Sequence, residues 1–483
     1  MHIENHMTVG SLIIENILGI FPEIFLGFFI LFISCFCVFQ DKDKFRNILI
    51  KSIVIFHGIV AIPIILFISL SIYYSSWLFI YNYSSYCLAL FIVLVSGICV
   101  FLMSSKRYTS FIPQNLIVVV LGFEFSLLLG LYSNNLIIFF IAFELYTICL
   151  TLFILFDNNK NIDIAKRYLI ISIVTGMSYV YGLSLYYLDF GGVSFIDKIH
   201  DISITGEIGT FLILSYILFK MGASPFHSWM IDVYRSVGFY IILILDTISK
   251  IVMFIILMKM CNFLSRNGID SYRILINISS IISMIIGCVA PFREDNIKKF
   301  MGYFSIGHIG FGLSVLCLDG NRVVLNKDAM IYVLSYTISS LLFFTSIIYI
   351  NFRKKIQSKN DLSSVFMISK TCWIAMIIAI LSMTSIPPFF GFLSKFWIFS
   401  DFLILKRYDM LFIGGLYSIL SFVCVINILK YLVGGYTMKY TIIETCRKLS
   451  MRTYLFIITL ISCCVLWSIY FENINRFILK IMR

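Results

Sequence analysis

Residues 216–230 read YILFKMGASPFHSWM, and this stretch decides how the chain folds. A long apolar run leads into Lys220, and Gly222 and Pro225 follow closely. Proline lacks a backbone N–H and disfavours helix at the preceding residue, so the pattern predicts a helix interrupted inside the apolar run. At membrane depth the freed backbone groups must face protein or a water-filled cavity, where Lys220 could be hydrated. His227 would share its face if the helix resumed.

The composition of the whole chain places this interrupted helix in a membrane. Of 483 residues, 60% are hydrophobic and only 13% are charged, and the mean hydropathy is +0.98. A soluble protein of this length needs more polar surface than that. Apolar runs of roughly 20 residues span a bilayer as helix, so we predict an all-α integral membrane protein of about fourteen transmembrane helices. The predicted runs are 11–39, 48–75, 77–103, 113–132, 134–156, 164–189, 207–232, 238–262, 271–292, 296–318, 327–352, 367–403, 409–438 and 451–473.

The distribution of positive charge predicts the orientation in the membrane. The formal net charge is +12, but the Lys and Arg residues lie in short connections between apolar runs, so nucleic-acid binding is not expected. The connections that follow odd-numbered runs carry about twice as many basic residues as the others, which places both termini on the outer side. Most of the 13 cysteines lie in apolar runs without metal-ligand spacing, so no metal or iron–sulfur site is expected.

A second interruption has the same form as the first. Residues 381–399 read LSMTSIPPFFGFLSKFWIF, in which Pro387 and Pro388 break the run before Lys395. The two breaks fall in predicted helices 7 and 12, five helices apart, which predicts two inverted five-helix repeats. The predicted organisation is an N-terminal three-helix segment, two five-helix repeats and a C-terminal helix, at 1–110, 111–265, 266–440 and 441–483.

Buried charged residues are the candidates for function. Lys250 follows Asp246 by four residues, so an ion pair on one helix face is possible, either for transport or for structure alone. Glu144 and Glu124 lie in earlier apolar runs, and Glu124 could instead be interfacial. Glu144 beside Lys220 would favour the charged amine, and moving the carboxylate away would release the proton.

His308 is a further candidate, in the stretch YFSIGHIGFG. Histidine can relay protons near neutral pH, although a lone histidine in an apolar helix more often serves packing. The neighbouring Gly307, Gly310 and Gly312 resemble part of a nucleotide-binding motif, but they lie in an apolar run with no preceding strand. Nucleotide binding is therefore rejected.

Three of these stretches resemble the antiporter-like membrane subunits of respiratory complex I, the NADH:ubiquinone oxidoreductase. FKMGASPFHSWMIDVY (219–234), NIKKFMGYFSIGHIGF (296–311) and SIPPFFGFLSKF (385–396) are similar to motifs of that family, in the same order. FPEIFLG (21–27) resembles the opening of its subunit 2 branch. The stretch 230–237 departs from the family pattern, which leaves the connection between predicted helices 7 and 8 undefined.

The resemblance implies a proton pathway and a set of partners. The pathway residues would be Glu144, Lys220, Lys250, Lys395, His227, His308, Glu124 and Asp246. NADH, FMN, Fe–S clusters and ubiquinone would be bound by partner subunits, with no cofactor on this chain. The partners would be other membrane-arm subunits and lipids such as cardiolipin. The absence of a visible import signal and the Ile-, Phe- and Asn-rich composition favour the mitochondrial inner membrane, with both termini in the intermembrane space.

Two other interpretations remain open at this level. An Mrp-type cation/proton antiporter subunit or a membrane-bound hydrogenase subunit would share the lysines and broken helices. A structural scaffold with vestigial lysines would share them too.

Overall fold

A computed structural model describes most of the chain, apart from its ends and a few connections. The described residues are 79–103, 114–157, 161–195, 203–351 and 353–434, with a few single positions before and after them. Predicted helix 1 lies outside the described residues, and of predicted helices 2 and 14 only a few positions are described, among them 457–462 of helix 14.

The described part of the chain is almost entirely helical, which confirms the predicted all-α class. The long helices are α1 (Tyr83–Met103), α2 (Gln114–Tyr132), α3 (Leu136–Asp157), α4 (Ile162–Phe190), α5 (Ile204–Met221), α6 (Ser228–Ser236), α7 (Phe239–Arg266), α8 (Tyr272–Arg293), α9 (Ile297–Leu316), α10 (Arg322–Asn351), α11 (Lys370–Met383), α12 (Phe390–Ile404) and α13 (Tyr408–Gly434). Two short antiparallel strands, Tyr74–Ser75 and Ile80–Tyr81, precede α1, and short helical turns at Lys359–Ser364 and Val365–Ile368 precede α11. Among the described helices, α3, α4, α5, α7, α8, α10 and α13 are long and apolar enough to cross a membrane.

Polar residues set the starts of several helices. Ser203, Asn296 and Ser369 precede α5, α9 and α11, and each side chain accepts a hydrogen bond from a backbone N–H two or three residues further on. These bonds satisfy donors that the first helical turn leaves without an intrahelical partner.

The first predicted break is present between α5 and α6. The helix ends at Met221, and Gly222 adopts a left-handed conformation with φ of 75°, which glycine reaches without steric cost. Helical structure resumes only at Ser228, so the condition under which Lys220 and His227 would share a helix face is not met. The connection from α6 to α7 consists of Val237 and Gly238.

The second predicted break is present between α11 and α12. The helix stops at Met383, and α12 begins at Phe390 beyond Pro387 and Pro388. A Cβ atom on Gly391 would lie 1.9 Å from the carbonyl oxygen of Ser382, so only glycine allows α12 to start this close to the end of α11.

The order of elements repeats along the chain. Three helices, a broken helix and a further helix make up α2–α7, and α8–α13 follow the same order. The positions of the two breaks within this order agree with the predicted pair of five-helix repeats. The predicted domain bounds themselves stay a prediction.

The contacts divide the chain into two units. The first comprises residues 1–159 and 191–198, and the second comprises residues 160–190 and 199–483. Helices α4 to α13 therefore belong to the second unit, which also holds all the lysines of the predicted pathway.

Glycines allow α8 and α9 to pack closely in the second unit. A Cβ on Gly287 would lie 2.2 Å from the Cα of Gly307, and a Cβ on Gly310 would lie 2.7 Å from the Cβ of Ser283. Small residues are typical of close helix contacts in membranes. The glycines of the stretch around His308 therefore serve helix packing.

We expect Gly391→Ala to destabilise the protein, because the new Cβ meets a backbone oxygen that cannot move aside without shifting α11. The cost should lie at the upper end of the roughly 1–3 kcal/mol found for overpacking. Gly415→Ala is the matched control, since nothing lies within 4 Å of a Cβ there. It should raise helix stability by about 0.5–1 kcal/mol. Thermal unfolding of the purified protein distinguishes the two; equal midpoints would contradict the assigned packing.

Candidate functional site

Lys250 and Asp246 form an ion pair inside α7. Both side chains are buried, and Lys250 Nζ contacts Asp246 Oδ1. Asp246 lies in a π-helical turn, Leu245–Ser249, immediately before Lys250. Such turns within α-helices are frequent at functional sites. A buried ion pair needs further hydrogen bonds to offset the loss of hydration, so its surroundings decide its stability.

Two tyrosines complete the shell of Asp246. Tyr234 donates its hydroxyl to Oδ1 at 3.0 Å, and Tyr336 donates to Oδ2 at 2.7 Å. The rings of the same two tyrosines lie 5.8 and 5.5 Å from Lys250 Nζ, within the range of cation–π attraction. The carboxylate and the ammonium are thus enclosed by the same aromatic side chains.

His308 lies next to this ion pair on α9. Its Nδ1 is 2.7 Å from the hydroxyl of Tyr332, and its ring stacks on Tyr336 with 4.4 Å between centroids. Its Nε2 is buried and has no hydrogen-bond partner among the described residues. Imidazole and phenol groups can each donate and accept a proton, so the contact suits a relay.

Lys395 lies beyond His308 on α12. Its Nζ is buried 5.2 Å from the ring centroid of Tyr417 and 5.5 Å from that of Phe311. Within the described part of the chain this Nζ has no hydrogen-bond partner. Tyr417 in turn lies beside Tyr332, so aromatic side chains connect Lys395 with His308.

These contacts form one continuous set, here called the central row. Its members, in spatial order, are Lys250, Asp246, Tyr336, His308, Tyr332, Tyr417 and Lys395. All seven side chains are buried, and they come from five helices of the second unit. Three steps, from Tyr336 to His308, from Tyr332 to Tyr417 and from Tyr417 to Lys395, are contacts without a hydrogen bond, since the Tyr417 hydroxyl has no partner among the described residues. A proton would cross these three steps through a water molecule or by side-chain rotation.

The backbone groups freed by the first break are satisfied inside the protein. Trp229 donates its indole N–H to the carbonyl of Phe219 at 2.9 Å. Ser279 donates to the carbonyl of Ser224 at 2.6 Å, and the N–H of Ser224 donates to Ser283 at 2.8 Å. The break therefore faces protein, as the membrane environment requires.

Lys220 and His227 lie on either side of this break. Lys220 is buried, with Nζ 5.0 Å from the ring of Tyr216, whereas His227 is half-buried with Nδ1 3.2 Å from the hydroxyl of Ser224. The break thus holds a buried amine and a more accessible imidazole within a few residues of each other.

The two predicted glutamates lie in the first unit. Glu124 on α2 is buried with Oε2 3.0 Å from His57 Nε2, and both its interfacial and its pathway role stay predictions. Glu144 on α3 is half-buried. Its pairing with Lys220 stays a prediction.

Sequence reasoning missed the tyrosines of the site and His57. The signal for Tyr332 and Tyr336 was their spacing of four on one helix, but with 28 tyrosines in the chain no single one stood out. His57 was a titratable residue inside an apolar run, the same criterion that selected Glu124.

Comparison with known proteins agrees with this architecture. Residues 133–421 match the family model described as NADH:quinone oxidoreductase/Mrp antiporter, transmembrane. A subunit N of NADH-quinone oxidoreductase from Pelagibacter ubique is 26% identical over 428 residues, covering 86% of this chain and 89% of that protein.

Solved structures share the fold at low sequence identity. A chain of respiratory complex I from Thermus thermophilus superposes with a TM-score of 0.76 at 16% identity, over 94% of this chain and 98% of that one. A chain of the Mrp complex from a Dietzia species gives 0.82 at 14% identity, over 97% of each chain.

The fold and the buried row define a multi-pass membrane protein with charged groups in its interior. The chain belongs to the NADH:quinone oxidoreductase/Mrp antiporter family, which confirms the resemblance seen in its motifs. Proteins of both the oxidoreductase and the Mrp type are among those to which it is similar.

We expect Tyr336→Phe to destabilise the second unit, because it leaves Asp246 Oδ2 buried without its donor. Such an unsatisfied group costs about 1–3 kcal/mol. Tyr408→Phe is the control, since Tyr408 is 62% exposed. It should change stability by less than about 0.5 kcal/mol. Thermal unfolding of the purified assembly is the measurement, and an unchanged midpoint for Tyr336→Phe would rule out this hydrogen bond.

Proposed function

We propose that this chain carries protons across the membrane as a subunit of the membrane arm of NADH:quinone oxidoreductase. The observation that carries the proposal is the central row, which connects Lys250 with Lys395 through groups that can each take and give a proton. Structural packing alone would not require two lysines, an aspartate and a histidine to be buried together, because each costs free energy in an apolar environment.

The lysines are the proposed carriers, and the aromatic residues are the proposed connection between them. Lys250 is offset by Asp246, whereas Lys395 faces the rings of Tyr417 and Phe311. A proton on Lys395 is therefore stabilised by ring faces alone among the described contacts. The two ends of the central row therefore differ chemically, and this difference suits proton transfer in one direction.

Lys220 and Glu144 are the proposed input of the pathway. Lys220 lies at the end of α5 beside the break, where a small shift of the backbone would change its surroundings. Movement of a neighbouring carboxylate would change the charge of the amine without redox chemistry on this chain. Glu124, paired with His57, would be a further titratable group of the same pathway.

The driving force would come from partner subunits. Moving one proton against 100 mV requires about 2.3 kcal/mol. We propose that NADH, FMN, Fe–S clusters and ubiquinone bind to those partners, and that lipids such as cardiolipin surround the chain. The sequence features favour the mitochondrial inner membrane, with both termini in the intermembrane space. Similarity to bacterial proteins fits a bacterial membrane equally well.

Substitution of Lys395 by Met in the assembled complex tests the proposal. The change keeps the length of the side chain but removes the carrier, so NADH-driven proton uptake into membrane vesicles should fall. Lys370→Met is the matched control, because Lys370 is exposed at the start of α11 and precedes the same break. Unaltered proton uptake in an assembled Lys395→Met complex would favour the structural scaffold.

An Mrp-type antiporter subunit is the second candidate, since the family and the fold include such proteins. The relative from Pelagibacter ubique, matched over most of both chains, favours the oxidoreductase. Affinity purification of the tagged chain distinguishes them. Co-purification of flavin- and iron–sulfur-containing subunits supports the oxidoreductase, and a complex without redox groups supports the antiporter.

A further inference from the structure

A second buried charged cluster lies outside the central row, between α10 and α12. Asp328 and Asp401 are both more than nine-tenths buried, and their carboxyl groups lie within hydrogen-bond distance of each other. Oδ2 of Asp328 and Oδ2 of Asp401 are buried without a hydrogen-bond donor among the described residues. Two ionised carboxylates repel each other and cannot hydrogen-bond, so this arrangement favours one proton shared between them.

Lys327 offsets the charge of this pair. Its Nζ is 2.9 Å from Asp328 Oδ1 and 5.0 Å from the ring centroid of Trp397. With one shared proton the two carboxyls carry one negative charge, and the ammonium makes the cluster neutral. A second proton would leave a net positive charge in a buried place, which is costly, so it would be held only briefly.

The pair lies next to the central row. Asp328 precedes Tyr332 by four residues on α10, one helical turn, so both lie on the same face. Asp401 follows Lys395 by six residues on α12, a rise of about 9 Å. Phe311 lies beside Lys395 and also contacts Phe399 and Phe402, which flank Asp401 along α12. The same aromatic ring thus contacts both the lysine and the part of α12 that carries Asp401.

The carboxyl pair also lies near the ends of its two helices, towards one side of the membrane. Asp401 is three residues from the end of α12, and Asp328 is six residues from the start of α10. The count of basic residues in the connections predicts that these ends face the outer compartment.

We propose that Asp328 and Asp401 share one proton and form the release group of the pathway, between Lys395 and the outer side. This inference rests on the proposed function. A proton leaves the ammonium of Lys395, giving the neutral amine, and binds the carboxyl pair, which becomes doubly protonated. One proton then passes to the outer aqueous phase, and the singly protonated pair is restored.

Infrared spectroscopy of the intact complex in membranes, with labelled aspartate carboxyls, tests the shared proton directly. We expect a protonated-carboxyl band that is lost in Asp401→Asn and in Asp328→Asn. The amide of asparagine keeps a hydrogen bond to the remaining carboxylate, so both variants should fold. Asp409→Asn is the matched control: Asp409 follows α12 in the chain, is half exposed and pairs with Arg407 at 2.9 Å. A band that survives both substitutions overturns the shared proton.

A separate measurement, of proton uptake, tests the role of the carboxyl pair in transport. NADH-driven proton uptake should fall in Asp401→Asn and Asp328→Asn and stay at the wild-type rate in Asp409→Asn. Lys327→Gln should show a second protonated-carboxyl band, because the charge that opposes the second proton is gone. If the protonated-carboxyl band is lost but proton uptake stays normal, the carboxyl pair does not lie on the proton pathway. Failure of the proposed function appears separately, as normal uptake in Lys395→Met.

Discussion

The need to satisfy backbone groups where helices are interrupted is the constraint on which the rest of the structure depends. Lipid offers no hydrogen bonds, so each break must be enclosed by protein. At each break, a neighbouring helix contributes two serines that lie four residues apart in the sequence. Ser279 and Ser283 of α8 bond the backbone of the first break, and Ser335 and Ser339 of α10 contact the serine side chains that flank the second. The breaks are therefore part of the packed interior.

Charged side chains are buried in the same interior as the breaks, and aromatic rings surround the ammonium groups of the lysines. Lys220, Lys250 and Lys395 each have an aromatic ring centroid within 5.0–5.5 Å of Nζ. Ring faces attract a cation and replace part of the hydration that burial removes. The carboxylate of Asp246 adds a direct ion pair for Lys250. A high content of aromatic residues, 17% of the chain, is thus consistent with holding cations inside a membrane protein.

Helix α10 connects the parts of the site. One of its faces carries Asp328, Tyr332 and Tyr336 at intervals of four residues, and these contact Asp401, His308 and Asp246, respectively. The same helix holds both sides of the second break through its serines. Because α10 contacts the α11–α12 break and also carries residues of the central row, a displacement of this break would change the positions of those residues.

The sequence by itself determined the membrane class, the number and order of the described helices and the positions of both breaks. These features follow from local properties, namely apolar run length and the geometry of proline and glycine. It also selected Lys250 with Asp246, since residues four apart on a helix lie on one face and can pair. Tertiary structure alone decided that Tyr336, His308, Tyr332 and Tyr417 join the two lysines, and that Asp401 meets Asp328. Such contacts join helices far apart in the chain, and helix rotation and packing, which no local pattern encodes, set which faces meet.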